Sequence, residues 1–104
     1  MADGEVNVVA TFKAKSGQAQ AVRQALEKMV EPTRAEQGNV GYDLHEGVED
    51  EDTFVLYEQW RSKPDLDAHM QKPYFKQMDQ DLSGILQQPY TVTLLKHIAG
   101  GHAG

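Results

Sequence analysis

The chain has 104 residues, sixteen acidic against ten basic side chains, a formal net charge of −6 and no cysteine. That length gives one domain with a small core, and the acidic balance argues against a nucleic-acid backbone or an anionic lipid surface as main partner, because both need concentrated Lys and Arg. The lack of Cys excludes disulfides, a thiolate nucleophile and Cys-ligated zinc.

No apolar run reaches the length of a membrane span, and the acidic start Met1-Ala2-Asp3-Gly4-Glu5 has no apolar signal core. A soluble cytoplasmic protein is expected. Over residues 5–13, Val6, Val8, Ala10 and Phe12 alternate with more polar neighbours, the period of a strand. Ser16-Gly17 ends it and precedes a helical pattern in which Val22, Leu26, Met29 and Val30 share a face beside Ala25. Pro32 falls late in this helix and is expected to kink it or to start a last turn. Gln37-Gly38-Asn39 closes it, with Gly38 expected as a left-handed cap.

A second strand is expected over Val40–Glu46, with Tyr42 and Leu44 on one face, and a third over Thr53–Arg61; the acidic turn Gly47–Asp52 makes the two a hairpin. Ser62 and Asp65 have the spacing of a capping box, and the helix they open carries Leu66, His69 and Met70. Lys72-Pro73 interrupts it, because a residue before proline avoids helical backbone. A further helical piece follows with Phe75, Met78, Leu82 and Ile85, then a break at Gln87–Pro89 and a fourth strand over Tyr90–Ile98. Residues 1–98 form one domain, and the Gly-rich stretch 99–104 is expected to be a disordered tail.

The order is β-α-β-β-α-β, an α+β ferredoxin-like plan with an antiparallel four-stranded sheet and its helices on one face. Phe54-Val55-Leu56-Tyr57 and Val92-Thr93-Leu94-Leu95 are apolar on both faces of the sheet. Helices cover one face only, so the other requires a second layer, and a two-fold-related copy of the same sheet supplies it. The expected assembly is a homodimer with its sheets face to face, a dimeric α/β barrel.

The site candidates gather on the seam between sheet and helices. Trp60, the single Trp, ends the third strand and offers either a core seal or a flat wall for an aromatic ring. His69 lies on an apolar helix stripe, as a packed core residue or as a base that takes a proton near neutral pH. Tyr42 is a pocket wall if its face looks toward the helices, while His45 points the other way. Tyr74 and Phe75 follow the Pro73 break, Tyr74 with a hydroxyl to offer and Phe75 as packing or lining. Glu58 in a strand interior needs a partner; an ion pair with a nearby Lys, Arg or His is expected, with polarisation of His69 as the alternative. The four His are too scattered for a metal site, and the Glu49–Asp52 run lacks the alternating ligands of a calcium loop.

Three segments carry a resemblance: Gly38-Asn39-Val40-Gly41-Tyr42, Glu58-Gln59-Trp60-Arg61-Ser62 and Leu66-Asp67-Ala68-His69-Met70-Gln71-Lys72-Pro73. Together they resemble the antibiotic biosynthesis monooxygenase domain, in particular its small bacterial quinol monooxygenase branch. The resemblance implies a dimeric barrel with a pocket between sheet and helices in each subunit, and oxidation of phenols or quinols by molecular oxygen with no metal, flavin or other cofactor. It places the family Trp on Trp60. Where polyketide-oxidising members carry Asn, Tyr and Arg, this chain has Leu56, Leu66 and Asp79 or Gln80. Where haem-degrading relatives carry Asn, Trp and an iron-binding His, it has Ala10, His69 and Asp79. A branch that isomerises a sugar-phosphate signal shares the helical His at His69.

The expected function is therefore a cofactor-independent monooxygenase of a small quinol or polyphenol, with His69 and Trp60 catalytic and Tyr42, Glu58, Tyr74 and Phe75 binding the substrate. The alternatives are a non-catalytic ligand-binding or stress-response dimer, and an isomerase of a small sugar-derived signal with Arg61 or Lys72 at a phosphate.

Overall fold

The computed structural model describes residues 4–101. Of the expected disordered tail, residues 102–104 lie outside the described residues, and 99–101 belong to no helix or strand. The elements are β1 (Val6–Lys13), α1 (Ala19–Arg34), β2 (Asn39–Glu46), β3 (Thr53–Trp60), α2 (Lys63–His69), α3 (Pro73–Leu82) and β4 (Thr91–Leu95). The four strands form one sheet in the order β2-β3-β1-β4, and every neighbouring pair is antiparallel. This is the ferredoxin-like plan with its second helix split in two at Pro73.

Local chemistry accounts for most boundaries. Gly17 takes φ +82° just ahead of α1, a conformation that suits glycine. Val22, Ala25, Leu26, Met29 and Thr33 bury one stripe of that helix against the sheet. Pro32 lies within its last turn rather than ending it. Ser62 caps α2 by accepting the Asp65 backbone N–H at 3.2 Å, and its hydroxyl donates to Asp65 Oδ2 at 2.8 Å. Pro73 sits in the first turn of α3, where its missing N–H costs nothing.

Two expectations are corrected. Gly38 is not a left-handed cap: its φ is not positive, and α1 ends on Ala35 in right-handed helical backbone. Gly38 is there for close approach. A Cβ at this position would lie 2.2 Å from Asp65 Cγ, inside the cap of α2, while the Gly38 carbonyl accepts the Arg61 N–H at 2.9 Å. The fourth strand is also shorter than expected. Asn7 pairs with Leu95 one residue from the start of β1 and the ladder ends there, so His97 and Ile98 lie beyond the first residue of that strand.

The register sorts the two faces. Val8, Ala10, Phe12, Tyr42, Phe54, Leu56, Glu58 and Trp60 look toward the helices and are buried. Opposed residues share a face, so Val92 and Leu94, opposite Ala10 and Val8, look the same way, yet they stay 49 % and 44 % exposed because no helix reaches β4. The other face carries Asn7, Val9, Val55, Tyr57 and Leu95 among Thr11, Thr93 and Gln59, and the helix stripes that are buried lie on the opposite side of the sheet.

Candidate active site

The uncovered strip beside β4 is the mouth of a cavity of about 320 Å³ between the sheet and α2/α3. Its walls are almost wholly apolar: Val8, Ala10, Phe12, Leu56, Leu66, Met70, Phe75, Met78, Val92 and Leu94. Polar atoms enter from few places, chiefly Tyr42, Glu58, His69, Tyr90 and the mouth residue Lys63. A larger trough between α1 and β2 is lined by Arg23, Glu27, Arg34 and Glu46. Arg23 there is already bonded to Glu46 at 3.3 Å, so that trough is charged surface.

Glu58 reaches the cavity because β3 alternates and its even positions face the helices. It is 6 % exposed. The expected ion pair is absent: no Lys, Arg or His among the described residues pairs with it. Its partner is the indole of Trp60, whose Nε1–H donates to Glu58 Oε1 at 2.9 Å. A neutral donor two residues along the same strand satisfies one oxygen and leaves the charge uncompensated. Burial therefore pushes the carboxyl up to about 7; the indole bond opposes that rise and the charge of Glu36 adds to it.

His69 is 1 % exposed, on the inner face of α2 at its last residue. Its ring is wedged between aromatic neighbours: Trp60 at 4.7 Å between centroids, Phe75 at 5.2 Å and Tyr42 at 5.9 Å. Its Nδ1 lies 2.7 Å from Glu36 Oε2, and its Nε2 is buried with no partner. The alternative of Glu58 polarising His69 thus gives way to Glu36 in that role. Burial lowers the His69 pKa, with Glu36 opposing and Lys72 contributing to the drop. Burial thus favours the neutral imidazole in the bond to Glu36 over an ion pair.

Glu36 itself sits in the tight turn between α1 and β2, where its N–H bonds to the Thr33 carbonyl. Tyr74 donates its hydroxyl to the same Glu36 oxygen. Burial, and then that bond, push the Tyr74 hydroxyl up. Tyr42 is buried with the Thr33 hydroxyl beside it; burial, reinforced by Glu58, raises it far above the ordinary phenol range, so it remains a donor.

Of the six sequence-derived candidates, Tyr42, Glu58, His69 and Phe75 line the cavity. Trp60 and Tyr74 do not. Trp60 is 0 % exposed and packs with Val8 and Leu66 behind the wall, touching the site through Glu58 and the imidazole. Tyr74 reaches it only through Glu36. Leu56 and Leu66, the positions at which the resemblance notes missing polar groups, are walls of the cavity, so the site is drier there. Asp79 lies outside it and accepts the Tyr90 hydroxyl at 2.6 Å. Among the described residues, no three His, Asp or Glu side chains converge as a metal site.

Known proteins share this arrangement of chain. Rv0793 of Mycobacterium tuberculosis, named as a candidate monooxygenase, is 37 % identical over 90 residues, covering 86 % of this chain and 88 % of its own. The solved structure of Rv0793 superposes with a TM-score of 0.89 at 32 % identity, over 95 % of this chain and 100 % of that one. PA3566 of Pseudomonas aeruginosa gives the same TM-score at 30 % identity, over 95 % of this chain and 99 % of its own. The family model for antibiotic biosynthesis monooxygenase matches residues 6–81. That match takes in three of the four strands, α1, α2, most of α3, and Glu36, Glu58 and His69. The chain belongs to the antibiotic biosynthesis monooxygenase family.

Proposed function

We propose that this protein is a cofactor-independent monooxygenase of small, uncharged quinols and related phenols. Its family and its named relatives support a monooxygenase-type function. The quinol substrate is supported by one observation: an apolar cavity that holds an unpartnered imidazole nitrogen and a carboxyl that burial raises to about 7, two groups suited to exchanging protons near neutral pH. An electron-rich phenol needs little else from a protein. A base makes it a reductant for oxygen, a donor holds the phenolate, and dry walls protect the intermediates.

The roles divide by environment. His69, held neutral, takes the phenol proton. The Tyr42 hydroxyl donates to the resulting oxyanion, and Phe75 with Leu56 and Met78 bounds the ring. Oxygen bonds to a ring carbon as a peroxide. Glu58 then gives its proton to the departing oxygen as the O–O bond breaks. For a hydroquinone the balance is hydroquinone plus O₂ to hydroxyquinone plus water: one oxygen atom stays on the ring, and the other leaves with the two hydrogens the substrate loses. The order of the two pKa values suits this division, because a base with a lowered pKa and an acid at about 7 are both in working form over a shared pH range.

The sugar-phosphate reading is disfavoured by the cavity's charge. Lys63 is its one cation, and its Nζ is bonded to Asp67 at 2.6 Å. Arg61 and Lys72 do not line it. Two copies pairing sheet to sheet would cover Val9, Val55, Tyr57 and Leu95, and a sedimenting species of one chain's mass would overturn that assembly.

Oxygen consumption with a panel of substituted hydroquinones and naphthohydroquinones is the direct test. Uptake is expected with uncharged members and is expected to fall with sulfonated ones, whose charge the apolar walls would strip of water without supplying a free cation. No uptake across the panel by folded protein would overturn the oxidation reading.

A further inference from the structure

We propose that Glu36 is the positioning residue of this site: it fixes His69 as the Nδ1–H tautomer and so leaves Nε2 as the atom that receives a proton from a bound ligand. The proposal rests on the site described above and adds the group that orients it.

The geometry is restrictive. Glu36 Oε2 lies 2.7 Å from His69 Nδ1 and also accepts the Tyr74 hydroxyl. The oxygen that takes the Tyr74 hydroxyl hydrogen acts as an acceptor toward Nδ1 as well, so Nδ1 carries the hydrogen. The other tautomer would set the Nδ1 lone pair against that oxygen at hydrogen-bond distance. A flipped ring would put a carbon there instead. The imidazole is held from three sides by Trp60, Phe75 and Tyr42, so it has little room to leave Glu36. A neutral ring carries one N–H, and with that hydrogen spent on Glu36 the Nε2 lone pair is bare. It is also the atom that has no partner in this structure. A base oriented by a buried carboxylate is the logic of a catalytic triad with the ligand hydroxyl in the nucleophile's place.

The fold supplies the carboxylate from outside the cavity. Glu36 comes from the α1–β2 turn, and its side chain is 10 % exposed, with the Tyr74 hydroxyl bonded to it from α3. It touches the imidazole and not the cavity wall. The charged and titratable groups facing His69 are Glu36 from that turn, Lys72 from the α2–α3 junction and Tyr74 from α3; Tyr42 and Glu58 share its cavity from β2 and β3.

The test uses the full chain with ¹⁵N-labelled histidine, reading the His69 tautomer by NMR at pH 7.5 and assigning it with His69→Asn. Wild type is expected as Nδ1–H. Glu36→Ala is expected to raise the Nε2–H form and to lower kcat on the order of 100-fold with KM little changed. Glu36→Gln, whose amide oxygen accepts the same N–H, is expected to restore the tautomer and part of the rate. If Glu36→Ala fails to fold, the wild-type tautomer and the Glu36→Gln protein decide. An Nε2–H His69 in wild type, or an Nδ1–H population unmoved in Glu36→Ala, overturns the proposal. Lack of turnover in every protein would overturn the oxidation reading, and the tautomer would still decide this one.

Discussion

His69→Asn is expected to lower kcat/KM for an active hydroquinone by about 100-fold or more, the usual contribution of a positioned general base. Asparagine is more informative here than alanine. Its amide occupies the place of the Cγ–Nδ1 half of the ring and can still donate to Glu36, but nothing occupies the place of Nε2. Alanine removes both halves and leaves a void among Trp60, Phe75 and Tyr42 in a ring stack that is 1 % exposed at its centre. Such a void costs stability in its own right, so lost rate in His69→Ala alone would not separate chemistry from packing. Oxygen uptake and urea unfolding measured together separate them. A His69→Asn protein that folds normally and turns over at the wild-type rate would remove His69 from the mechanism.

The strands, the hairpin and both breaks around α2 were legible because each is encoded within a few residues. Ser62 and Asp65 cap α2 through contacts three positions apart, and Pro73 splits the second helical region by restricting its neighbour. Gly38 shows the limit of that local code. A glycine after a helix reads as a left-handed cap, yet here its missing side chain admits Asp65 from an element 27 positions away. The partner of Glu58 was readable in principle. Trp60 lies two positions on, and in a strand that spacing puts both side chains on one face. A buried carboxylate is usually matched with a cation, and here a neutral indole donor takes that place.

Glu36 was beyond reach of the sequence. It lies in a polar turn, Ala35–Asn39, with no periodicity, and the contact that gives it meaning joins positions 33 apart. A His on an apolar stripe signals that a partner must exist, but only the folded chain says which. The cavity mouth was hidden for a related reason. Val92-Thr93-Leu94-Leu95 reads as apolar on both faces without saying what covers either, and the register sends Val92 and Leu94 to the helix side, where they line the cavity. Thr91, Thr93 and Leu95 are the β4 residues that look to the uncovered face, so the apolar content of β4 serves two surfaces.

Glu58→Gln is expected to stabilise the protein by about 3 kcal/mol at pH 8 and to leave it nearly unchanged at pH 4.5. The sign follows from the direction of the shift. A glutamate in an unfolded chain ionises at about 4.3, whereas burial holds Glu58 protonated up to about 7. Between those values the folded state binds more protons than the unfolded state, so wild-type stability falls as pH rises through that window. Above about 7 the folded protein carries an ionised carboxylate with one indole bond and no cation. Glutamine keeps an acceptor for the Trp60 N–H and never ionises, so its protein lacks that loss. Urea unfolding at the two pH values measures the difference, and equal stabilities at pH 8 would place the Glu58 side chain in solvent.

The same substitution separates the acid from the base in the reaction. If protonated Glu58 gives its proton to the departing oxygen, the wild-type rate falls above about pH 7, while the acid limb at lower pH belongs to His69. Glu58→Gln then loses rate on the order of 100-fold and loses the alkaline limb with it. Trp60→Phe removes the indole donor that favours the ionised carboxyl, so it should move that limb to higher pH while leaving both proton-exchanging groups in place. A limb that stays put in Trp60→Phe, or persists in Glu58→Gln, would assign the titration to another group. A more stable yet inactive Glu58→Gln enzyme would mean that the buried acid is retained at a cost to folding, as expected where a site needs a group the surrounding core disfavours.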